Sequence, residues 1–245
     1  MANKIFMHKC FYGDNIDMGV LELSPNESHH LYNVMRMQIG SKIIALNGKG
    51  IHAYGTLIAI DKKHARIRIE RITTFAYPNH PITLLQAVLK NNNNNYIVRE
   101  ATAIGVSEII FFETRNTECK LKGKICDKFF HLQQIAIESC KQSGNPFLPK
   151  ISYFEKLEKI NSLPFDIRLF GGLREHSQPL KTALPIPLLK SNVCIAIGPE
   201  GDFSPSEYAY LQQNDFIPCR LTQNILRSET AAIYALSVLD QLINS

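Results

Sequence analysis

No two of the six cysteines form a C-x-x-C pair; they stand at positions 10, 119, 126, 140, 194 and 219. Zinc sites and dithiol redox motifs need closer pairing, so reduced, mostly buried thiols and no metal centre are expected. No run approaches the roughly 18 apolar residues of a membrane-spanning helix. The segment Met1–Cys10 also lacks the continuous apolar stretch of a signal peptide. A soluble, cytoplasmic protein with no membrane partner is the expectation. G-x-G-x-x-G is missing too, which removes the phosphate-cradling turn of dinucleotide-binding folds. Internal repeats and long low-complexity segments are absent.

Charge of one sign is only modestly in excess, at +5, but it is unevenly spread. Residues 1–80 hold 10 Lys and Arg against 6 Asp and Glu, whereas the other 165 hold 17 against 16. A positive N-terminal face attracts phosphate backbones through counterion release.

The periodicity changes along the chain. Up to about residue 74 it reads as strands with one helix. Ser24-Pro25-Asn26-Glu27 has the form of a capping box, with the Glu27 carboxylate reaching back to the N-cap amide. That helix is expected to run to Met37 and to be closed by Gly40. Lys42–Leu46 and Ile51–Ile60 flank Asn47-Gly48-Lys49-Gly50, a hairpin pattern, and Ala65–Ile72 alternates like a half-buried strand. Beyond Tyr77–Pro81 strands and helices alternate. Strands are expected at 82–89, 107–112, 167–170, 193–197 and 216–221. Helices are expected at 95–104, 125–142, 205–212 and 229–243. Such alternation predicts an α/β domain with a largely parallel sheet, whose ligands bind at the carboxyl ends of the strands. The tract Asn91–Asn95 reads as a polar loop ending in an asparagine N-cap.

Two stretches carry chemistry. Val193–Ile197 runs into Gly198-Pro199-Glu200-Gly201, and Ser204 with Glu207 forms a second capping box. Glycines admit a ligand close to the main chain, and Glu200 at a strand end favours a cation or hydrogen-bond donors over a phosphate. The second stretch, Leu221 to Ala232, follows a strand and opens the last helix with Arg227, Ser228, Glu229 and Thr230.

Gly198-Pro199-Glu200-Gly201 with Phe203-Ser204, and Ile225-Leu226-Arg227-Ser228-Glu229-Thr230-Ala231, resemble the hallmark pair of the RsmE family. These are small-subunit (16S) rRNA uracil-N3 methyltransferases of the SPOUT superfamily. His29 to Arg36, Ala101 to Ile109, and Ala136 to Pro149 resemble further family segments in the same order. The resemblance implies a PUA-like RNA-binding β-barrel over 1–74 and a SPOUT trefoil-knot methyltransferase domain over 75–245. It also implies a homodimer, ribosomal RNA of the small subunit as partner, and S-adenosyl-L-methionine as cofactor. Mapped onto this chain, the cofactor loops are Leu169, Phe170, Gly171 and Gly172; Ile197, Gly198, Pro199, Glu200 and Gly201; and Leu221, Asn224, Ile225 and Leu226, with Thr230 and Ala231.

Uracil N3 carries a proton at neutral pH and must lose it to become a nucleophile. Arg227 suits stabilisation of the charge that spreads onto the uracil carbonyls. Glu200 and Glu229 are both candidates to receive the proton, and the residues alone do not choose between them. Arg36, Lys90 and Arg115 are candidates for RNA contacts. The chain departs from the family at Asp202, where a second glycine is usual, and at Asn224, Asn145 and Glu100, where cations are usual. Those losses leave two alternatives beside the main reading: an idle RNA-binding ribosome-assembly factor, and a methyltransferase for a different RNA.

Overall fold

The computed structural model describes residues 7–90, 92–118, 125–173, 177–184 and 190–243. Asn91, the first of the asparagine tract, and Cys119 lie outside the described residues, as does the side chain of Cys126. Contacts divide the chain into two compact units, Met1–Tyr77 with Ile137–Leu148, and Pro78–Ala136 with Pro149–Ser245.

In the first unit β1 (His8–Phe11), β2 (Gly19–Glu22), α1 (Pro25–His29), β3 (Lys42–Leu46), β4 (Ile51–Ile60) and β5 (Ala65–Thr74) form a five-stranded sheet, order β1-β3-β4-β5-β2, with α1 beside it. Only the β1–β3 pair is parallel. Leu21, Leu31, Ile43, Ala45, Leu57 and Ile67 share its core. Strand β3 is buried on both faces, since Ile44 and Leu46 pack against Cys140 and Leu148 of the 137–148 segment. Burial on both sides is why Lys42–Leu46 reads as a continuous apolar run instead of an alternation. The hairpin expected at Asn47–Gly50 is present. Gly48 and Gly50 take positive φ, while the Asn47 side chain accepts from the Lys49 and Ile51 amides at 2.8 and 3.0 Å.

Two expectations for the first helix are corrected. Ser24 caps the Glu27 amide at 3.3 Å, but the Glu27 carboxylate does not return to the N-cap. It accepts from the Phe11 amide at 3.2 Å and from Lys141 Nζ at 2.9 Å, because a cation inside the unit outcompetes an exposed amide. The helix also stops earlier. After α1 the chain makes one π-helical turn, His30–Val34, and Arg36 at φ 50° reverses it. The Met37 amide then bonds back to Leu31 O at 3.0 Å, and Gly40 serves the next turn.

In the second unit β6 (Ile82–Ala87), α2 (Asn93–Ile104), β7 (Glu108–Phe112), α3 (Ile125–Ser143), β8 (Lys150–Phe154), β9 (Ile167–Gly171), β10 (Gln178–Pro179), α4 (Leu180–Ala183), β11 (Val193–Ile197), α5 (Pro205–Gln213), β12 (Ile217–Arg220) and α6 (Ser228–Ile243) follow in order. From Ile137 onward α3 groups with the first unit. The seven strands are all parallel, in the order β10-β12-β9-β11-β6-β7-β8. Strands β6 and β11 are wholly buried, as a sheet covered on both faces requires. Helix α6 packs on α2, β6 and β11. Phe203, Tyr208 and Leu211 join Phe112 and Phe170 in one core cluster. Helix α2 starts at Asn93 with Asn92 as N-cap but without a side-chain cap. Asn94 instead clasps both backbone groups of Leu89, at 3.0 and 2.8 Å, and so turns β6 into the helix. Among the described residues no helix is long and apolar enough to cross a membrane, and no three His, Cys, Asp or Glu are grouped to hold a metal ion.

Candidate active site

Strands β12, β9, β11 and β6 are neighbours and run the same way, so the segments that leave them emerge along one edge of the sheet. There they enclose a cavity of about 580 Å³, entirely within the second unit. Gly171 and Gly172 line it at the end of β9; Ile197, Gly198, Pro199, Glu200 and Asp202 at the end of β11 and beyond; and Leu221, Asn224, Ile225, Leu226 and Arg227 after β12. Ser228, Glu229 and Ala231 of α6 also line it, as do Lys90 and Asn93 from the β6–α2 turn and Leu173, Cys219, Arg220 and Thr222.

Close packing explains the glycines here. A Cβ on Gly172 would lie 2.5 Å from the Tyr208 hydroxyl and 2.9 Å from Ser177 Oγ, and one on Gly198 would lie 3.3 Å from the Phe203 ring. The turn after β11 is held from several sides. The Asp202 amide bonds to Pro199 O at 3.0 Å, and Asp202 at φ 57° caps the Phe203 amide at 2.8 Å. Asn116 Nδ2 donates to the carbonyls of Gly201 and Asp202, each at 2.9 Å. The expected Ser204–Glu207 capping box is present in both directions. The other Glu207 oxygen accepts from the Arg115 amide at 2.7 Å. On the β12 side Thr222 Oγ1 donates to Asn224 O at 2.6 Å, and the Ala231 amide closes the first turn of α6 on Arg227 O at 2.8 Å.

Cations and carboxylates are balanced in the cavity lining, three of each: Lys90, Arg220 and Arg227 against Glu200, Asp202 and Glu229. That balance suits a ligand bearing both charges better than a polyphosphate, which needs a positive surplus. Ile225 is 79% exposed at the same wall, an apolar surface that a ring can cover. Glu229 Oε2 is buried and has no hydrogen-bond partner. A buried acceptor left unpaired destabilises the protein by about 1–3 kcal/mol until a donor arrives. Lys90 Nζ lies 3.1 Å from Glu118, whose hydrogen bond and charge hold that ammonium above its usual range. The Cys219 thiol, also in the wall, is pushed up to about 12 by burial and is inert at neutral pH.

Most residues expected at the site are thus brought together. Leu169 and Phe170 lie in the sheet behind it, fully buried. Gly201 packs on Asn116, and Thr230 is exposed on α6; neither lines the cavity. Of the three candidate RNA contacts only Lys90 lies there; Arg115 is exposed on the 113–118 loop, and Arg36 belongs to the first unit. Asp202, Cys219, Arg220 and Ser228 line the cavity without having been expected as site residues. Gln86, below, was missed altogether, although an amide inside the run Ile82–Leu89 is itself a signal.

The model of the RNA methyltransferase domain matches residues 77–240, and that of the RNA methyltransferase PUA domain matches residues 23–70. Among relatives, a ribosomal RNA small subunit methyltransferase E of Mesomycoplasma hyopneumoniae is 33% identical over 69% of this chain and 73% of its own. Another, named E 2, from Borreliella burgdorferi is 28% identical over 88% of each chain. Among solved structures, a methyltransferase of Legionella pneumophila with bound cofactor SAM superposes at a TM-score of 0.89, with 26% identity over 97% of this chain and 98% of that one.

Proposed function

The chain belongs to the RNA methyltransferase family, and from that premise we propose that it transfers a methyl group from S-adenosylmethionine to N3 of a specific uridine in small-subunit (16S) ribosomal RNA. The observation that carries this reading is the buried, unpartnered Glu229 Oε2 in the wall that Arg227 also lines.

The residues present fit the cofactor. Its adenine and ribose need backbone partners at glycine-bearing strand ends, and its zwitterionic methionine part needs charges of both signs. Gly171, Gly172, Gly198, Leu221 and Leu226 would hold the former, and the mixed-charge rim the latter. When bound, the cofactor supplies an activated methyl group on a sulfonium. The protein's own task is alignment and management of one proton and one developing negative charge. Arg227 stabilises the charge that spreads onto the uracil carbonyls. Glu229, rather than Glu200, receives the N3 proton, because its Oε2 is shielded and lacks a donor while Glu200 is exposed. N3 lies on the pairing edge, so the target uridine must be unpaired or turned out of its helix.

Arg36, Lys90 and Arg115 contribute phosphate contacts to the RNA of the assembled or nearly assembled subunit. A homodimer is part of the same reading, with exposed Tyr96 and Tyr234 on the packed helices α2 and α6 as its apolar surface. So is the trefoil knot. In its support, residues 221–227 leave β12 near one side of the sheet, yet α6 packs on β6 and β11.

Mass spectrometry of small-subunit rRNA nucleosides from a deletion strain tests the assignment. Loss of 3-methyluridine is expected, and an unchanged level refutes it. Calorimetry with S-adenosylmethionine tests the broader reading, which fails if no heat of binding is seen at millimolar cofactor.

A further inference from the structure

Gln86 lies on β6, an interior strand of the seven-stranded sheet, paired with Ile197 on one side and Phe111 on the other. It is completely buried in an otherwise apolar strand end, between Leu85 and Ala87. An amide there destabilises the fold unless it is hydrogen-bonded, and even so its Oε1 finds no partner. A leucine or methionine would fill the same space without that penalty. What the amide does provide is direction. Nε2 donates to Ala87 O at 3.0 Å and to Ser228 Oγ at 3.1 Å. A carbonyl can only accept, so Ala87 fixes which end of the amide is nitrogen. Ser228 must then accept from Gln86, and its own proton goes to Gly198 O, the other atom within reach.

We propose that Gln86 is a positioning residue for methyl transfer, aligning through Ser228 the Gly198 turn and the first turn of α6. The chain of bonds runs from β6 to α6 to the turn after β11, across 142 residues of sequence in its first step. It ends on the carbonyl that precedes Pro199 and Glu200, and its middle member is flanked by Arg227 and Glu229. Each residue placed in the chemistry is therefore within two positions of a locked atom. Without the Gln86 donor the serine oxygen loses one of its two partners, and only its own bond to Gly198 O is left to orient the side chain. The inference rests on the proposed function for its catalytic consequence, but the lock itself does not.

The test uses the full chain with Gln86→Met, Ser228→Ala, the double variant and Ser228→Thr, which keeps the hydroxyl. Amide hydrogen exchange is measured first, without cofactor. Gln86→Met and Ser228→Ala are each expected to speed exchange in residues 198–203 and 226–231 while residues 42–74 are unchanged. Turnover on small-subunit RNA is expected to fall about 10- to 100-fold in kcat, with KM for RNA unmoved, as for a small misalignment. The double variant should be no slower than the slower single, and Ser228→Thr should keep most of the rate. Unaltered exchange in both single variants, or losses that multiply in the double, overturns the proposal. A parent protein that neither binds cofactor nor methylates RNA refutes the proposed function, and the exchange data still decide the lock. Should Gln86→Met fail to fold, Ser228→Ala, at the cavity wall, carries the same comparison.

Discussion

Replacing Lys141 with methionine is expected to destabilise the first unit by about 3–5 kcal/mol, the range for removing one partner of a buried ion pair. Lys141 is 7% exposed and bonds Glu27, 14% exposed, at 2.9 Å. Its second partner, Glu138, is 59% exposed at 2.7 Å, and a pair in that setting contributes only about 0–1 kcal/mol. The loss is therefore dominated by Glu27. Its carboxylate would remain inside the unit with the Phe11 amide as its donor, at 3.2 Å, among the described residues. Adding Glu27→Gln to Lys141→Met removes the stranded charge and keeps an acceptor for Phe11, so the double variant should regain more than half of the loss. Burial works against the ammonium, but Glu27 and then Glu138 outweigh it and hold Lys141 above its ordinary range. A raised lysine stabilises the fold fully below its unfolded value of about 10.4 and loses that contribution as pH climbs through the folded value. The gap between parent and Lys141→Met should accordingly be constant from pH 6 to 9 and shrink above about 10.4. Urea unfolding followed by circular dichroism measures both quantities. A loss under about 1 kcal/mol, the level of an exposed pair, or no recovery in the double variant, would refute the reasoning.

Three further outcomes are expected. Arg227→Ala should lower kcat by about 10²–10³-fold, the scale of one lost charge-stabilising donor, while calorimetry shows cofactor binding retained; undiminished turnover removes Arg227 from the mechanism. Asp202→Gly relieves a left-handed backbone at φ 57° but gives up the bond to the Phe203 amide, so its unfolding free energy should stay within about 1 kcal/mol of the parent. Asp202→Val has no such exchange and should destabilise by more than that, which thermal unfolding of the two variants side by side resolves. Cys219, its thiol pushed up to about 12 by burial, should resist iodoacetamide in the native protein at pH 8 and react on unfolding; rapid native labelling, read by peptide mass, would contradict the buried thiol.

What was legible in the sequence was what local rules govern. Gly198 to Ser204 could be read because a strand, a glycine-bearing turn and a capping box each have a short-range signature, and all three occur as expected. Strands β3 and β4 followed from the Asn47–Gly50 turn between them, and β5 from alternation. Strands β1 and β8 were not legible, since each is short and at a sheet edge, specified by the neighbour it pairs with. Nor was the end of the first helix: Gly40 was the natural terminator, whereas Arg36 adopts the left-handed conformation that residue type disfavours. The membership of 137–148 in the first unit and the Gln86–Ser228–Gly198 bonds are tertiary facts. A helix pattern does not reveal that its last turns pack on Ile44 and Leu46, and a glutamine does not announce a partner far along the chain.

The same distinction bears on the positions where family resemblance leads one to expect cations. Asn145 accepts from the Phe147 amide at 2.9 Å, and Asn94 of the asparagine tract holds Leu89 from both sides. Glu100 pairs with its neighbour Arg99 at 2.9 Å, and Asn224 lies in the loop that Thr222 braces. Asn145, Asn94 and Glu100 lie outside the cavity wall, whereas Asn224 is part of it, and the two asparagines Asn145 and Asn94 tighten the backbone around them. On the proposed function their consequence falls on phosphate attraction, where each lost contact lowers affinity and flattens its dependence on salt. The cavity between β9, β11 and β12 depends instead on glycine packing, capped turns and bonds among buried groups, which surface charge does not touch. Divergence on the RNA side is therefore compatible with intact chemistry, and weighs against an idle assembly factor more than for one.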